Sequence, residues 1–197
     1  MQSCQEIKIE QTIKIDNYLR LELCVDATVL FNFIQNNREI FLNTIPWVSN
    51  FNTIEDSKKL IEIWNQAYQQ GTKSCYFIMQ NQNLAGFFCF RTIDFTKKEA
   101  EVGYMMDKEY QGQGILRKCM KFMIAYAIEQ YQIQRFILIT QSDNMRSQNV
   151  GLKLGFQLFK REENGTQLNG VAKYQLTFEL TKEMYLQFLQ SEQQVIS

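Results

Sequence analysis

The segment Glu101–Arg117, EVGYMMDKEYQGQGILR, decides the fold. Its first part predicts a strand over about Ala100–Met106, and the apolar spacing after Gly114 predicts an amphipathic helix that ends near Tyr131. The loop between them contains Gly112 and Gly114, which would let the backbone approach a ligand closely. The first N–H groups of a helix have no internal partner and lie at its positive end. This strand–loop–helix therefore predicts a site suited to a pyrophosphate.

Two common phosphate-binding loops do not fit this segment. A Walker loop requires Lys-Ser or Lys-Thr after its last glycine, and neither follows Gly114. A dinucleotide-binding loop requires a glycine three positions after Gly114, where this chain has Arg117, and it opens a βαβ unit instead of following several strands. The pattern that fits is the acyl-CoA loop Q/R-x-x-G-x-G/A, present at 111–116 as QGQGIL with leucine in the last position.

A second segment, Asn144–Phe156, reads NMRSQNVGLKLGF and matches the pattern N-x-x-S-x-x-x-x-x-x-L-G-F. With the acyl-CoA loop upstream and Pro46-Trp47 near the start, the chain resembles the GNAT superfamily of N-acetyltransferases. The resemblance is to its ribosomal-protein (Rim-type) branch and covers roughly residues 10–180. It implies an enzyme that uses acetyl-CoA as a cosubstrate and whose acceptor amine attacks the thioester directly.

The patterns and the resemblance together predict an α/β (α+β) fold. We expect a mixed, mostly antiparallel sheet of six to seven strands flanked by about four helices. One acyltransferase domain is expected over 1–190, with a loose tail over 191–197. The expected strands are a pair containing Ile7, Ile9, Ile13 and Ile15, then Leu19–Cys24, Ser74–Gln80, Ala85–Ile93, Ala100–Met106, Phe136–Thr140 and a hairpin over Phe156–Leu180; the expected helices are Ala27–Asn36, Glu55–Gln70, Gly114–Tyr131 and Asn144–Leu154.

The resemblance also implies where the cofactor binds. Backbone groups of 104–106 are expected along the pantetheine arm, and backbone amides of 112–117 around the pyrophosphate. One residue of the second segment is expected near the acetyl end. The cofactor-binding residues are therefore expected to be Tyr104, Met105, Met106, Gln111, Gly112, Gln113, Gly114, Ile115, Leu116, Arg117 and Asn144.

Two residues are candidates for the chemistry. Glu101, in the family pattern A-E-x-G-Y, is the candidate base; the alternative is a solvated carboxylate, because Glu99 and Glu101 lie on one strand face. Ser147 is the candidate hydrogen-bond donor to the departing thiolate; the alternative is that it caps a helix with Asn144. Trp47 is expected to line the acceptor groove or to belong to the core.

The charged side chains around the loop leave one question open. Arg117, Lys118 and Lys121 are placed either to meet the 3′-phosphate of coenzyme A or to form a solvated helix face.

Over the whole chain, 21 basic and 21 acidic residues balance, which is not the basic excess of a nucleic-acid-binding protein. No apolar run approaches the ~20 residues that span a bilayer. We therefore expect a cytoplasmic monomer or homodimer without nucleic-acid or membrane partners.

The chain has no histidine and five scattered cysteines. The absence of histidine excludes Ser-His-Asp and Cys-His catalysis, and the cysteine spacing argues against a disulfide framework and a zinc site, so no metal is expected. A histidine-free site is compatible with an N-terminal α-amine, whose pKa of about 8 leaves a useful neutral fraction at pH 7.

Three functions remain open from the sequence. The first is acetylation of a protein N-terminal α-amine, of the ribosomal-protein type. The second is acetylation of a small-molecule amine such as a polyamine, an aminoglycoside or an amino-acid derivative. The third is a non-catalytic acyl-CoA-binding module. The variant Glu101→Gln separates the last from the enzymes, since a pure binder has no turnover to lose.

Overall fold

Eight strands form one mixed sheet in the computed structural model, which describes residues 10–168 and 171–196 and the side chains of 10–163 and 174–194. The strand order is β1-β2-β3-β4-β5-β6-β8-β7. All neighbouring strands are antiparallel except β5 and β6, which are parallel. The strands are β1 (Thr12–Lys14), β2 (Leu19–Leu23), β3 (Ser74–Gln80), β4 (Asn83–Asp94), β5 (Glu99–Met106), β6 (Arg135–Gln141), β7 (Gln157–Leu168) and β8 (Val171–Thr181).

Six α-helices lie within the described residues. They are α1 (Ala27–Asn36), α2 (Arg38–Leu42), α3 (Ile54–Gln69), α4 (Ile115–Tyr131), α5 (Met145–Leu152) and α6 (Lys182–Ile196). Short 3-10 turns at Pro46–Asn50 and Lys108–Tyr110 precede α3 and α4. The mixed α/β class of the acetyltransferase fold is confirmed.

The two faces of the sheet carry separate apolar cores, and α4 covers one of them. Because side chains alternate along a strand, Val102 and Met106 of β5 lie on the α4 face, while Met105 lies on the other. The α4 face packs on Cys119, Met120 and neighbouring apolar residues of α4. The opposite face packs on α1 and α3, through apolar side chains that include Leu30, Phe33, Ile34 and Ile61. Residues of β5 therefore reach two different environments.

Some predicted elements were wrong in extent or number. The sheet has one strand more than the six to seven expected, and the short helix α2 and the long helix α6 were not expected. Residues 191–196 continue α6 instead of forming a loose tail. The buried Tyr185 of α6 explains why this helix docks, since its hydroxyl donates to Lys121 O at 2.8 Å. Ile7 and Ile9, expected in the first strand, lie outside the described residues.

Candidate active site

Strands β5 and β6 separate in the middle of the sheet. Their pairing starts at Glu99 with Arg135 and ends at Val102 with Leu138, although β5 continues to Met106 and β6 to Gln141. The last part of β5 remains paired with β4 on its other side. The two strands thus form the walls of an opening, which we call the cleft.

The backbone on the β5 side of the cleft presents groups that no neighbouring strand pairs. Asp107 N donates to Ala85 O at 3.0 Å, and antiparallel pairs alternate between bonded and non-bonded. This alternation turns the N–H and C=O of Met105 toward β4, and those of Tyr104 and Met106 toward the cleft. Of the three residues predicted to contact the pantetheine arm, two therefore offer their backbone groups to it. The pattern suits an extended amide-containing ligand laid beside the strand.

The loop at the end of β5 carries the predicted glycines in left-handed conformations. Gly112 and Gly114 both have φ of 77°, which glycine adopts without strain. A Cβ at either position would meet nothing within 4 Å, so the glycines are required by the backbone conformation and not by crowding. Leu116, the departure from the family pattern, is the second residue of α4 and is buried in the core, so its bulk does not fill the loop.

Helix α4 begins without a side-chain cap. Gly114 occupies its N-cap position and provides no side-chain hydrogen bond. The first helical amides, starting with Ile115, have no acceptor within the helix, and no side-chain cap replaces it. They lie at the positive end of a helix of 17 residues. An anionic group at this position would satisfy them. The predicted pyrophosphate-binding residues Gly112 to Arg117 are brought together here, and Gln111 and Gln113 lie in the same loop.

The basic side chains at the start of α4 are already paired. Arg117 and Lys121 both contact Glu192 of α6, the latter at 2.5 Å, and Lys118 contacts Asp16. The hydrogen bond from Lys121 lowers the pKa of Glu192, and that from Lys118 lowers the pKa of Asp16 to about 2. Of the two interpretations given above, the structure favours the solvated, ion-paired helix face for these side chains.

Ser147 and Tyr104 meet at the cleft. Asn144 caps α5, its Oδ1 accepting from Ser147 N at 3.1 Å. The Tyr104 hydroxyl donates to Ser147 Oγ at 2.9 Å, and this bond joins β5 to α5. Burial raises the pKa of Tyr104 to about 12, so the phenol stays protonated. The site therefore contains two neutral hydroxyls, one of which was predicted; Tyr104 was expected to act only through its backbone.

Glu101 lies on the other face of the sheet. It shares that face with Gly103 and Met105, whereas Tyr104 packs on the α4 side. Arg91 Nη1 lies 2.8 Å from Glu101 Oε1. A Cβ on Gly103 would come within 2.8 Å of the Arg91 Cδ, so this glycine lets the Arg91 side chain cross β5. The structure thus does not bring Glu101 to Ser147, and its role as base stays a prediction.

Trp47 is distant in sequence from the other candidate residues. It belongs to the 3-10 turn before α3, is 39% exposed and packs edge-on against Phe51 with ring centroids 5.4 Å apart. A half-exposed aromatic ring at the edge of the α1 face is compatible with an acceptor groove, and this role also stays a prediction. Among the described residues, no group of three or more Cys, Asp or Glu side chains is arranged to hold a metal ion, and no helix is long and apolar enough to cross a membrane.

The geometry fits coenzyme A. The uncapped amides of α4 suit its diphosphate, the free edge of β5 suits its pantetheine amides, and the Ser147 hydroxyl lies where the strands separate. A cofactor held in this way presents its thioester between two diverging strands, open to an amine. These features define an acyl-CoA-dependent acyltransferase.

Comparison with known proteins identifies the family. The chain belongs to the acetyltransferase (GNAT) domain family, whose sequence model matches residues 19–157. The protein is an acetyl-CoA-dependent N-acetyltransferase. It is 28% identical over 150 residues to the ribosomal-protein-serine acetyltransferase of Escherichia coli (strain K12), an alignment that covers 75% of this chain and 84% of that protein.

Two solved structures show the same architecture. The microcin C7 self-immunity acetyltransferase MccE, in complex with acetyl-CoA and AMP, superposes with a TM-score of 0.82 at 27% identity over 88% of this chain and 97% of its own. RimL, a ribosomal L7/L12 α-N-protein acetyltransferase in complex with coenzyme A, also gives a TM-score of 0.82, at 22% identity over 86% of this chain and 97% of its own. The second likeness supports the fold alone.

Proposed function

We propose that the protein transfers the acetyl group of acetyl-CoA to the N-terminal α-amine of a protein, of the ribosomal-protein type. The observation that carries the choice of acceptor is the pairing of Glu101 with Arg91 at 2.8 Å, which leaves the candidate base engaged by a cation. The similarity to a ribosomal-protein-serine acetyltransferase over 84% of that protein's length supports the same choice.

A site whose candidate base is held by Arg91 favours an amine that is already partly neutral near pH 7. At pH 7 an α-amine with a pKa of about 8 is roughly one-tenth neutral, whereas a lysine or polyamine nitrogen near 10.4 is neutral in fewer than one molecule in about 1,000. The chain has no histidine that could act as a general base and remove the proton from the more basic amine. The proposed site therefore discriminates between amines by their own proton affinity.

The residues at the cleft have separate roles in this proposal. Acetyl-CoA supplies the acetyl group as a thioester that a neutral amine attacks. The amides at the start of α4 hold the diphosphate, and the backbone of Tyr104 and Met106 aligns the pantetheine arm. The hydroxyl of Ser147 donates a hydrogen bond to the sulfur as negative charge develops on it. The proton lost by the amine leaves through water or Glu101 on the opposite face.

A small-molecule amine is the second candidate acceptor. It is favoured by the 27% identity to MccE, a self-immunity acetyltransferase whose structure was solved with acetyl-CoA and AMP. The two candidates share the cofactor site and differ only in the groove that meets the acceptor.

A thiol-release assay with a panel of amines tests the acceptor. We expect peptides with a free N-terminal serine or alanine to give kcat/KM values at least about tenfold above those for spermine or for an N-terminally blocked peptide with one lysine. The N-terminally blocked peptide without lysine is the control. A higher kcat/KM for spermine would contradict the α-amine proposal, and no thiol release with any amine, together with normal acetyl-CoA binding, would favour a non-catalytic module.

A further inference from the structure

Three polar groups in a row connect β5, one wall of the cleft, to helix α5. Arg146, in the first turn of α5, donates from Nη1 to Gln111 Oε1 at 2.8 Å. The same Gln111 amide donates from Nε2 to Met106 O at 3.2 Å. Met106 O lies on the free edge of β5, so the side chain of Gln111 bridges that edge to α5. The bridge lies at the loop expected to receive the diphosphate.

The hydrogen-bond partner of Arg146 distinguishes it from the basic residues of α4. Arg117 and Lys121 share the Glu192 carboxylate, and Lys118 contacts Asp16. Arg146 is exposed, and the partner it holds at the loop is a neutral amide. A hydrogen bond between a guanidinium and an anionic phosphate is stronger than one between a guanidinium and an amide oxygen. A phosphate that entered the loop would therefore compete successfully for the guanidinium.

We propose that Arg146 is a ligand of the cofactor's diphosphate, and that the Gln111 side chain is the stand-in which the cofactor displaces. This inference rests on the proposed cofactor cleft. The Gln111 amide offers an acceptor to Arg146 and a donor to Met106 O. A phosphate oxygen and a pantetheine N–H have the same polarities in the same order. Cofactor binding thus exchanges each hydrogen bond for one of the same kind, and the bond to Arg146 becomes charge-assisted.

The bridge has a second consequence for the free protein. Because Gln111 satisfies the Met106 carbonyl and orients the Arg146 guanidinium, both groups are held at the loop before the cofactor arrives. Less side-chain freedom then remains to be lost on binding. Arg146 acts as a binding residue and not as a catalytic one, so its loss should raise KM for acetyl-CoA and leave kcat unchanged.

Calorimetric titration of the full chain and of Arg146→Gln with three ligands tests the assignment. The ligands are acetyl-CoA, 3′-dephospho-acetyl-CoA and S-acetyl-pantetheine, which lacks the diphosphate. We expect Arg146→Gln to raise the Kd for the first two ligands about tenfold, the effect of one charge-assisted hydrogen bond at an exposed site, and to leave the Kd for the third unchanged. The Kd values of Arg146→Lys for the first two ligands should fall between those of the unaltered protein and of Arg146→Gln, since lysine keeps the charge without the guanidinium fork.

Lys153→Gln is the matched control. It removes the same charge at the far end of α5, about 10 Å along the helix, and should leave all three Kd values unchanged. An equal loss for S-acetyl-pantetheine, or a loss with acetyl-CoA that disappears with the dephospho form, would overturn the diphosphate assignment, as would unchanged binding by Arg146→Gln. Failure of the unaltered protein to bind acetyl-CoA would instead contradict the cofactor cleft itself.

Discussion

The two helices that start at the cleft, α4 and α5, begin in opposite ways. Asn144 caps α5 through its side chain, and the bonded amide belongs to the buried Ser147. Helix α4 starts at the exposed Gly114, which provides no side-chain bond. One helix start is thus closed by the chain itself, and the other leaves its amides available to a ligand.

The packing of the two helices explains why this difference is stable. Helix α4 has 17 residues, nine of them buried, so its position is fixed by apolar contacts along its length. Helix α5 has eight residues, of which Ser147 and Gly151 are buried. A short helix with little buried surface depends more on its cap, whereas a long, well-packed one forms without it. The uncapped start therefore occurs on the helix that needs a cap least.

Giving α4 an acidic residue at its start should have the largest effect. We expect Gly114→Asp to raise the Kd for acetyl-CoA more than about 100-fold, because a carboxylate would take the amides and repel the diphosphate. The thermal shift produced by acetyl-CoA should disappear.

Gly114→Asn is the matched variant for this experiment. Asparagine tolerates the left-handed conformation about as well as aspartate and carries no charge, so its effect should be clearly smaller. Because the asparagine side chain can also accept from the first helical amides, equal losses in the two variants would mean that repulsion between the added charge and the diphosphate contributes little to the loss.

The bond between Tyr104 and Ser147 provides the next largest effect. We expect Ser147→Ala to lower kcat about 10- to 100-fold with little change in KM for acetyl-CoA, because a hydrogen bond to the developing thiolate is lost. Tyr104→Phe should lower kcat less, about three- to tenfold, if the phenol acts by orienting Ser147. The double variant should then match Ser147→Ala, and this comparison of kcat values is the measurement.

Additive losses in the comparison of the two single variants with the double variant would show that Tyr104 acts independently of Ser147.

The pH dependence of kcat gives a further check. Burial raises the pKa of Tyr104 to about 12, so the unaltered protein and Tyr104→Phe should share the same kcat profile between pH 7 and 10. Between about pH 10 and 12 the folded state retains a proton that the unfolded chain loses, so Tyr104 should make the free energy of unfolding fall with rising pH in that window.

The sequence was sufficient to predict the elements that flank the cleft. The glycines at 112 and 114 require a left-handed turn, and the apolar spacing after them defines α4, so the loop and helix were predictable from local rules. The predicted helix over Ala27–Asn36 and strand over Ser74–Gln80 match the observed bounds. These elements are determined by periodicity and by turn residues near to them in the chain.

Contacts between residues distant in sequence were not predictable. Arg146 meets Gln111 across 35 positions, and Lys121 meets Glu192 across 71, pairings that only the assembled sheet and helices create. The separation of Glu101 and Ser147 onto opposite faces has the same origin. Strand alternation places Glu101 away from Tyr104, but only the packing of α4 and α5 shows that Tyr104 and Ser147 meet on the α4 face.

Removing the cap of α5 should have the smallest effect and is the most direct test of the comparison. We expect Asn144→Ala to lower the free energy of unfolding by about 1 kcal/mol, measured as a fall of roughly 2–4 °C in Tm, because one amide at the helix start loses its acceptor. The Kd for acetyl-CoA should change far less than in Gly114→Asp. Asn144→Asp keeps a capping oxygen and adds a charge, so it should retain Tm and weaken acetyl-CoA binding only if this side chain also approaches the cofactor, as the family resemblance implies. An unchanged Tm in Asn144→Ala together with weakened binding would mean that α5, like α4, reserves its first turn for the ligand, and the contrast between the two helix starts would then be lost.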